Sequence, residues 1–301
     1  MQSGPERLPR CVTIRQMKTV FVMTGGGSLG AVQVGMLKAL LGAGLMPDAV
    51  VGVSAGALNG ALLARNPSLA TVQALEVLWR NTGTRQALGL SWRSALAMLG
   101  LGGELGHSRG LRSLLGKALG PLQFSELALP LHVLCAELVT GDAVVLNRGT
   151  VIEAVIASAA VPGVFPPVDV AGQQLVDGAV ASVSPLTVAR GLAAQRIVVL
   201  PCGFACAAST VPRHAVGRAM HAITLLGSRQ LRQDLQGPQG TSHTHVVPPL
   251  CPLNRSPYDY SGPAELIDRA FASTQAWLAS GGLKQGDLPG GMPGQLNEHS
   301  H

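Results

Sequence analysis

The chain has 301 residues, 47% hydrophobic, 13% charged and 3% aromatic, with 38 glycines; that supply of apolar side chains fills a large core and excludes an intrinsically disordered protein. The formal net charge is +6, but residues 1–18 hold four basic groups against one acid, so half of the excess lies there, and with few aromatics to stack on bases no nucleic-acid surface is expected. Five cysteines at irregular spacing (Cys11, Cys135, Cys202, Cys206, Cys251) predict neither a disulfide framework nor a metal-ligand set.

Residues 1–18 lack the apolar run of a signal peptide and read as an N-terminal tail, so secretion is not expected and a cytoplasmic protein is. Thr19 to Met23 is a β-branched and aromatic run with no polar break, the pattern of a strand buried on both faces. It runs into the glycine turn Thr24-Gly25-Gly26-Gly27-Ser28-Leu29-Gly30. Val34, Met36, Leu37, Leu40 and Leu41 then recur at helical spacing through Ala43, and Gly44 supplies a stop. The logic repeats: Asp48 to Val53 reads as a strand and Ala55 to Leu63 as a helix, leaving Ser54 on the turn between them. Two βα units in succession predict a parallel sheet.

Residues 66–130 read as mostly helical, with Leu75, Leu78 and Trp79 on one stripe. Within them Leu88 to Leu105 carries only Arg93 and Glu104 as charges, and reads either as helices capping the sheet or as a surface that touches a membrane. Strands are expected at 132–136 and 143–146, a helix at 151–160, and a strand at 174–176 leading into Asp177-Gly178. Helix 185–194, strand 196–200, helix 214–235, a short strand at Val246-Val247 and helix 264–278 follow. From residue 281 the composition is Gly, Pro, Gln and Asn without apolar period, a tail. The apolar stretches Ala49 to Ala64 and Ile197 to Pro212 are broken by Gly, Asn or Pro, so neither is expected to span a bilayer. The fold class is therefore α/β: one domain over 19–280 with a mostly parallel central sheet flanked by helices.

Gly52-Val53-Ser54-Ala55-Gly56 is a Gly-x-Ser-x-Gly sequence at a strand-to-helix turn. Such a turn is too tight for side chains two residues either side of the serine, and it lifts the hydroxyl over the strand ends beside helix N-terminal N–H groups. A serine hydroxyl needs a base to act as a nucleophile. Of the eight histidines, His107 lies in a glycine loop, His132 starts a strand, His214 and His221 share a helix, His243 and His245 flank a Thr-rich loop, and His299 and His301 lie in the tail. None combines a strand end with an acidic partner, so a carboxylate is the alternative. Asp177 is the strongest candidate, because it follows Leu175-Val176 and precedes a glycine, and burial there would raise its pKa toward useful basicity. The same Asp-Gly pair also reads as a hairpin turn. Gly25-Gly26-Gly27 exposes successive N–H groups that could serve an oxyanion or a phosphate. Gly25-x-Gly27-x-x-Gly30 matches dinucleotide spacing, with Asp48 as the corresponding ribose ligand; a serine flanked by glycines after the second strand is not needed for that.

Four segments together resemble the patatin-like phospholipase family: Gly25 to Gly30 with Gly35-Met36-Leu37-Lys38-Ala39-Leu40, Gly52 to Gly60, Ser158-Ala159-Ala160-Val161-Pro162-Gly163-Val164-Phe165-Pro166-Pro167, and Asp177-Gly178-Ala179. The resemblance implies a three-layer architecture and a cofactor-free and metal-independent Ser-Asp dyad, with Ser54 as nucleophile, Asp177 as base, and N–H groups of Gly25, Gly26, Gly27 and Ser28 around the oxyanion. It implies a lipid ester substrate, a phospholipid or an acylglycerol, and an acyl-serine intermediate. Acyl transfer or thioester cleavage would share that intermediate, and a lipid-binding scaffold would share only the fold. The sequence departs from the family at Leu29, where a basic residue is usual, at Ala179, where glycine is usual, and at Ser182 and Val183, where asparagine is frequent. Leu29 bears on recognition of a phosphate head group, the others on how Asp177 is held.

Overall fold

The computed structural model describes residues 17–81, 109–202, 215–237, 242–251, 253 and 259–284. The readings made for Leu88 to Leu105, for His107, His214, His299 and His301, for Cys11 and Cys206, and for most of both tails lie outside them.

Strand β1 (Thr19–Met23), helix α1 (Gly30–Gly42), strand β2 (Ala49–Gly52) and helix α2 (Ala55–Arg65) follow one another as the apolar pattern requires, with α3 (Leu69–Asn81) after them. Then come α4 (Arg109–Leu119), β3 (Leu131–Glu137), β4 (Ala143–Leu146), α5 (Val151–Ser158), β5 (Val168–Val170), β6 (Gln173–Asp177), α6 (Pro185–Gly191), β7 (Arg196–Leu200), α7 (Ala215–Gln236), β8 (His243–Val246) and α8 (Pro263–Ala279). The sheet runs β5-β6-β3-β2-β1-β7-β8, and β4 pairs with β3 off this path. Strands β8, β7, β1, β2 and β3 are mutually parallel, while β4 and β6 lie antiparallel to β3 and β5 antiparallel to β6. The expected mostly parallel α/β sheet is the one found.

All five residues of β1 are buried, and their alternation divides the core. Phe21 and Met23 point into the larger cluster with α1, α2, α3 and α8 side chains such as Leu37, Leu63, Leu75 and Ile267. Val20 and Val22 point into a second cluster with Leu186, Leu231 and Leu235 from α6 and α7. The sheet is thus the middle of three layers. Helix α1 lies against α8 at backbone distance, since a Cβ on Gly35 would stand 2.2 Å from the Ile267 carbonyl oxygen.

Several local expectations need correction. The last strand begins at His243, not Val246, so His243 and His245 sit in β8 and not beside a loop; pairing with Arg196 to Val199 of β7 makes a strand of a polar-looking sequence. Helix α6 ends at Gly191, three residues short of expectation. Strand β5 was not anticipated: it joins β6 through Ala171 and Gly172, both at positive φ (54° and 82°), a two-residue hairpin turn without its usual Asn or Asp. Cys135 and Cys202 are buried thiols, whereas Cys251 is disulfide-bonded, which the cysteine spacing did not suggest. The Asp48 carboxylate accepts the backbone N–H groups of Lys18 and Thr19 (3.0 and 2.8 Å) and ties the start of β1 to that of β2, the opposite strand ends from Ser54.

Candidate active site

Ser54 is the second of two residues between β2 and α2, at φ 54° and ψ −122°, a region that a residue with a side chain seldom enters. The flanking glycines explain why the chain can turn there. A Cβ on Gly52 would lie 2.7 Å from the Ala57 Cα, and one on Gly56 would lie 2.1 Å from the Met23 carbonyl oxygen. A serine at a helix N-cap ordinarily spends its hydroxyl on the helix. Here there is no side-chain cap bond, and the hydroxyl lies beside Asp177 in the same cleft, where it favours the ionised carboxylate.

The meeting of these two residues is a matter of register on β3. Its first half pairs with β2, Gly52 opposite Val133; its second half pairs with β6, Asp177 opposite Cys135. Ser54, two residues past Gly52, therefore reaches the level of Asp177. Gly178 is required for the same closeness, because a Cβ there would stand 2.3 Å from the Leu134 carbonyl oxygen. Asp177 is 1% exposed. Burial pushes its carboxyl up to about 6, against the N–H of Ala179 and the Ser54 hydroxyl, which both favour the ionised form.

The loop Thr24 to Gly27 faces the pair. Gly27 has φ 56°, and a Cβ on Gly26 would overlap the Cys202 Cβ at 2.4 Å. The N–H groups of Gly25, Gly26 and Gly27 donate to no other group among the described residues. Ser28 is buried and does not line the cleft. A buried polar network holds the loop from behind: Gln33 Nε2 donates to the carbonyls of Thr24 and Leu200, both at 2.9 Å. Asn59 Nδ2 donates to Gln33 Oε1 (3.0 Å) and Gly30 O (2.9 Å), and Trp79 Nε1 donates to Asn59 Oδ1 (2.8 Å). The Cys202 N–H donates to Thr24 Oγ1 at 2.9 Å. With each of these donors paired, the network fixes one arrangement of the loop.

Ser54, Asp177 and the three glycines form the polar floor of a cleft whose walls are mostly apolar, including Leu29, Val53, Val161, Ile223 and Leu231, with Thr224, Ser228 and Gln230 as polar side chains on the α7 side. Leu29 thus presents a hydrocarbon side chain where the sequence departs from the resembled pattern. Ala179 also lines the cleft, and Ser182 is turned to β4, its hydroxyl accepting the Ala143 N–H at 3.2 Å. No histidine lines the cleft among the described residues. His132 lies on β3 with its pKa lowered by burial, and β8, which carries His243 and His245, is three strands from β2. Among the described residues no group of three or more His, Cys, Asp and Glu side chains could hold a metal ion. Of the residues the sequence singled out, the structure brings Ser54, Asp177 and Gly25 to Gly27 together in one cleft. Sequence reasoning gave no role to Gln33, to the Ser158 hydroxyl or to the wall supplied by α7; an amide or hydroxyl inside an otherwise apolar helix was the signal for the first two.

A serine at a strand-to-helix elbow, facing a buried carboxylate over the strand ends of a mostly parallel sheet, is the arrangement of an α/β serine hydrolase. Residues 21–190 match the patatin-like phospholipase family, and the chain belongs to it. It is 28% identical over 208 residues to the neuropathy target esterase sws of Drosophila melanogaster, covering 67% of this chain and 14% of that protein. It is 27% identical over 202 residues to patatin-like phospholipase domain-containing protein 7 of Rattus norvegicus, with coverages of 65% and 14%. To lysophospholipase nte1 of Aspergillus terreus it is 30% identical over 186 residues, with coverages of 60% and 12%. The chain thus spans about one seventh of the length of the first two relatives. Among solved structures, VipD from Legionella pneumophila aligns with 88% of this chain and 67% of its own at 15% identity and a TM-score of 0.46.

Proposed function

We propose that the protein hydrolyses acyl esters of lipids through an acyl-serine intermediate, within a catalytic domain spanning residues 19–280. The observation that carries this reading is the Ser54 hydroxyl set beside a buried carboxylate, in a cleft with no histidine among the described residues.

Asp177 is ionised at neutral pH yet more basic than an exposed aspartate, which suits it to take the Ser54 proton as Oγ attacks the ester carbonyl. The negative charge on the carbonyl oxygen is met by the open N–H groups of the Gly25 to Gly27 loop. Collapse of the tetrahedral species returns the proton from Asp177 to the leaving alcohol. Asp177 then draws a proton from water as it attacks the acyl-serine carbonyl, and returns that proton to Ser54 Oγ as the acyl–oxygen bond breaks and the fatty acid leaves. The apolar walls suit an acyl chain. With Leu29 on the wall instead of a cation, selection of substrate rests on the chain and not on a phosphate, so acylglycerols and lysophospholipids are the proposed substrates. The names of the relatives, an esterase and a lysophospholipase, accord with this.

The test is hydrolysis of a panel of acylglycerols, lysophospholipids and diacyl phospholipids by wild-type protein and Ser54→Ala. Fatty acid release that disappears in the variant is expected. Release that persists in Ser54→Ala would remove the serine from the mechanism.

A further inference from the structure

We propose that Ser158 is a positioning residue: its hydroxyl holds the Ser54 elbow in register with Asp177. This rests on the reading of Ser54 as nucleophile. Ser158 is the last residue of α5, is fully buried and does not line the cleft, so it touches no substrate.

At its unusual φ, Ser54 has left the β2 ladder, while its position before α2 gives its N–H no carbonyl within the helix. A buried N–H in that situation needs an acceptor from elsewhere. It donates to Ser158 Oγ at 2.9 Å, across 104 residues of chain. The Ser158 hydroxyl donates onward to the Leu134 carbonyl at 2.6 Å. Leu134 is the β3 residue between the two half-ladders that fix β2 and β6. Two residues on, the Ala160 carbonyl accepts the Asp177 N–H at 3.0 Å. One short segment therefore grips the backbones of both Ser54 and Asp177. Without the Ser158 oxygen, the elbow loses the hydrogen-bonded bridge that ties the Ser54 backbone to the strand setting its partner's height, and the Ser54 hydroxyl no longer stays beside the carboxylate.

Cys135, the other titratable group beside Ser158, has its thiol pushed up by burial and by the Asp177 charge, so it stays protonated across the working range. Any movement of the acid limb then reports Asp177. Its pKa must rise when the Ser54 hydroxyl, which favours the ionised form, is withdrawn.

The test compares wild type, Ser54→Ala, Ser158→Ala and the nearly isosteric Ser158→Cys, whose sulfur is a weak acceptor. Steady-state ester hydrolysis across pH is read beside circular dichroism. Both Ser158 variants are expected to lose roughly 10- to 100-fold in kcat with KM little changed, and to show an acid limb moved to higher pH. A folded Ser158→Ala with wild-type kcat and acid limb overturns the proposal, and if that variant does not fold, the same result in Ser158→Cys does so. Exchange of the Ser54 amide proton, followed by NMR, is independent of turnover: protection in wild type and faster exchange in the variant are expected, and an unprotected wild-type amide overturns the proposal. Activity surviving in Ser54→Ala would instead sink the nucleophile assignment.

Discussion

Asp177 is held where its charge is unwelcome. Its folded pKa of about 6 lies above the ordinary aspartate value of 3.8, so between those values the folded state keeps a proton that the unfolded state has released. Stability from this group is therefore greatest at low pH and falls as pH rises through the window, by on the order of 1–3 kcal/mol in all. Asp177→Asn is expected to raise the melting temperature by several degrees at pH 8 and to leave it unchanged near pH 4. The same variant should lose activity about as completely as Ser54→Ala, on the order of 10^3-fold or more, because members of a catalytic unit fail together. In the wild type, kcat/KM should fall below about pH 6 as the carboxylate takes up its proton. A pH profile flat down to pH 5 would remove Asp177 as the base. Ser54 and the three loop glycines are legible from spacing because both motifs sit at strand-to-helix turns, although the contact that demands a glycine at position 26 comes from the distant Cys202. Asp177 is not: its neighbours read equally as a hairpin turn, and what makes it a partner of Ser54 is the divided pairing of β3, a non-local fact.

The same division runs through the elements. Strands β1 and β2 and their helices are legible because burial on both faces and the glycine turns leave one pattern each. The β5–β6 hairpin is hidden by Ala171, which adopts a conformation that sequence reasoning reserves for Gly, Asn or Asp. Strand β8 is hidden by His243, Thr244 and His245, which become a strand only beside β7. Helix α7 is legible as a helix but not as a wall of the cleft, because that depends on its docking over Ala179 and Ala181, the latter through Gln230 Nε2 to the Ala181 carbonyl at 2.7 Å. Where elements touch backbone to backbone, even one methyl group is too much. Gly35→Ala should cost several kcal/mol through the clash with Ile267, and Gly116→Ala, with nothing within 4 Å, should not destabilise α4. Urea denaturation of the two variants checks this; equal midpoints would mean that α1 and α8 are not packed as described.

At the scale of the whole molecule, a sheet sandwiched between helix layers brings three distant parts of the chain, the glycine loop, the elbow and Asp177, to one end of the parallel strands. Family membership rests on residues 21–190, which hold all three. None of the described residues gathers into a metal-ligand set, so ester hydrolysis should be unchanged by EDTA; loss that a defined metal restores would mean that the dyad is not the whole machinery. The most direct test of the central claim is mass-spectrometric mapping of the site labelled by a fluorophosphonate, in wild type and in Asp177→Asn. A single phosphonylated residue, Ser54, is predicted in the wild type, with labelling slowed on the order of 10^3-fold in the variant. A folded wild-type protein that takes the label at another residue, or not at all, would contradict it.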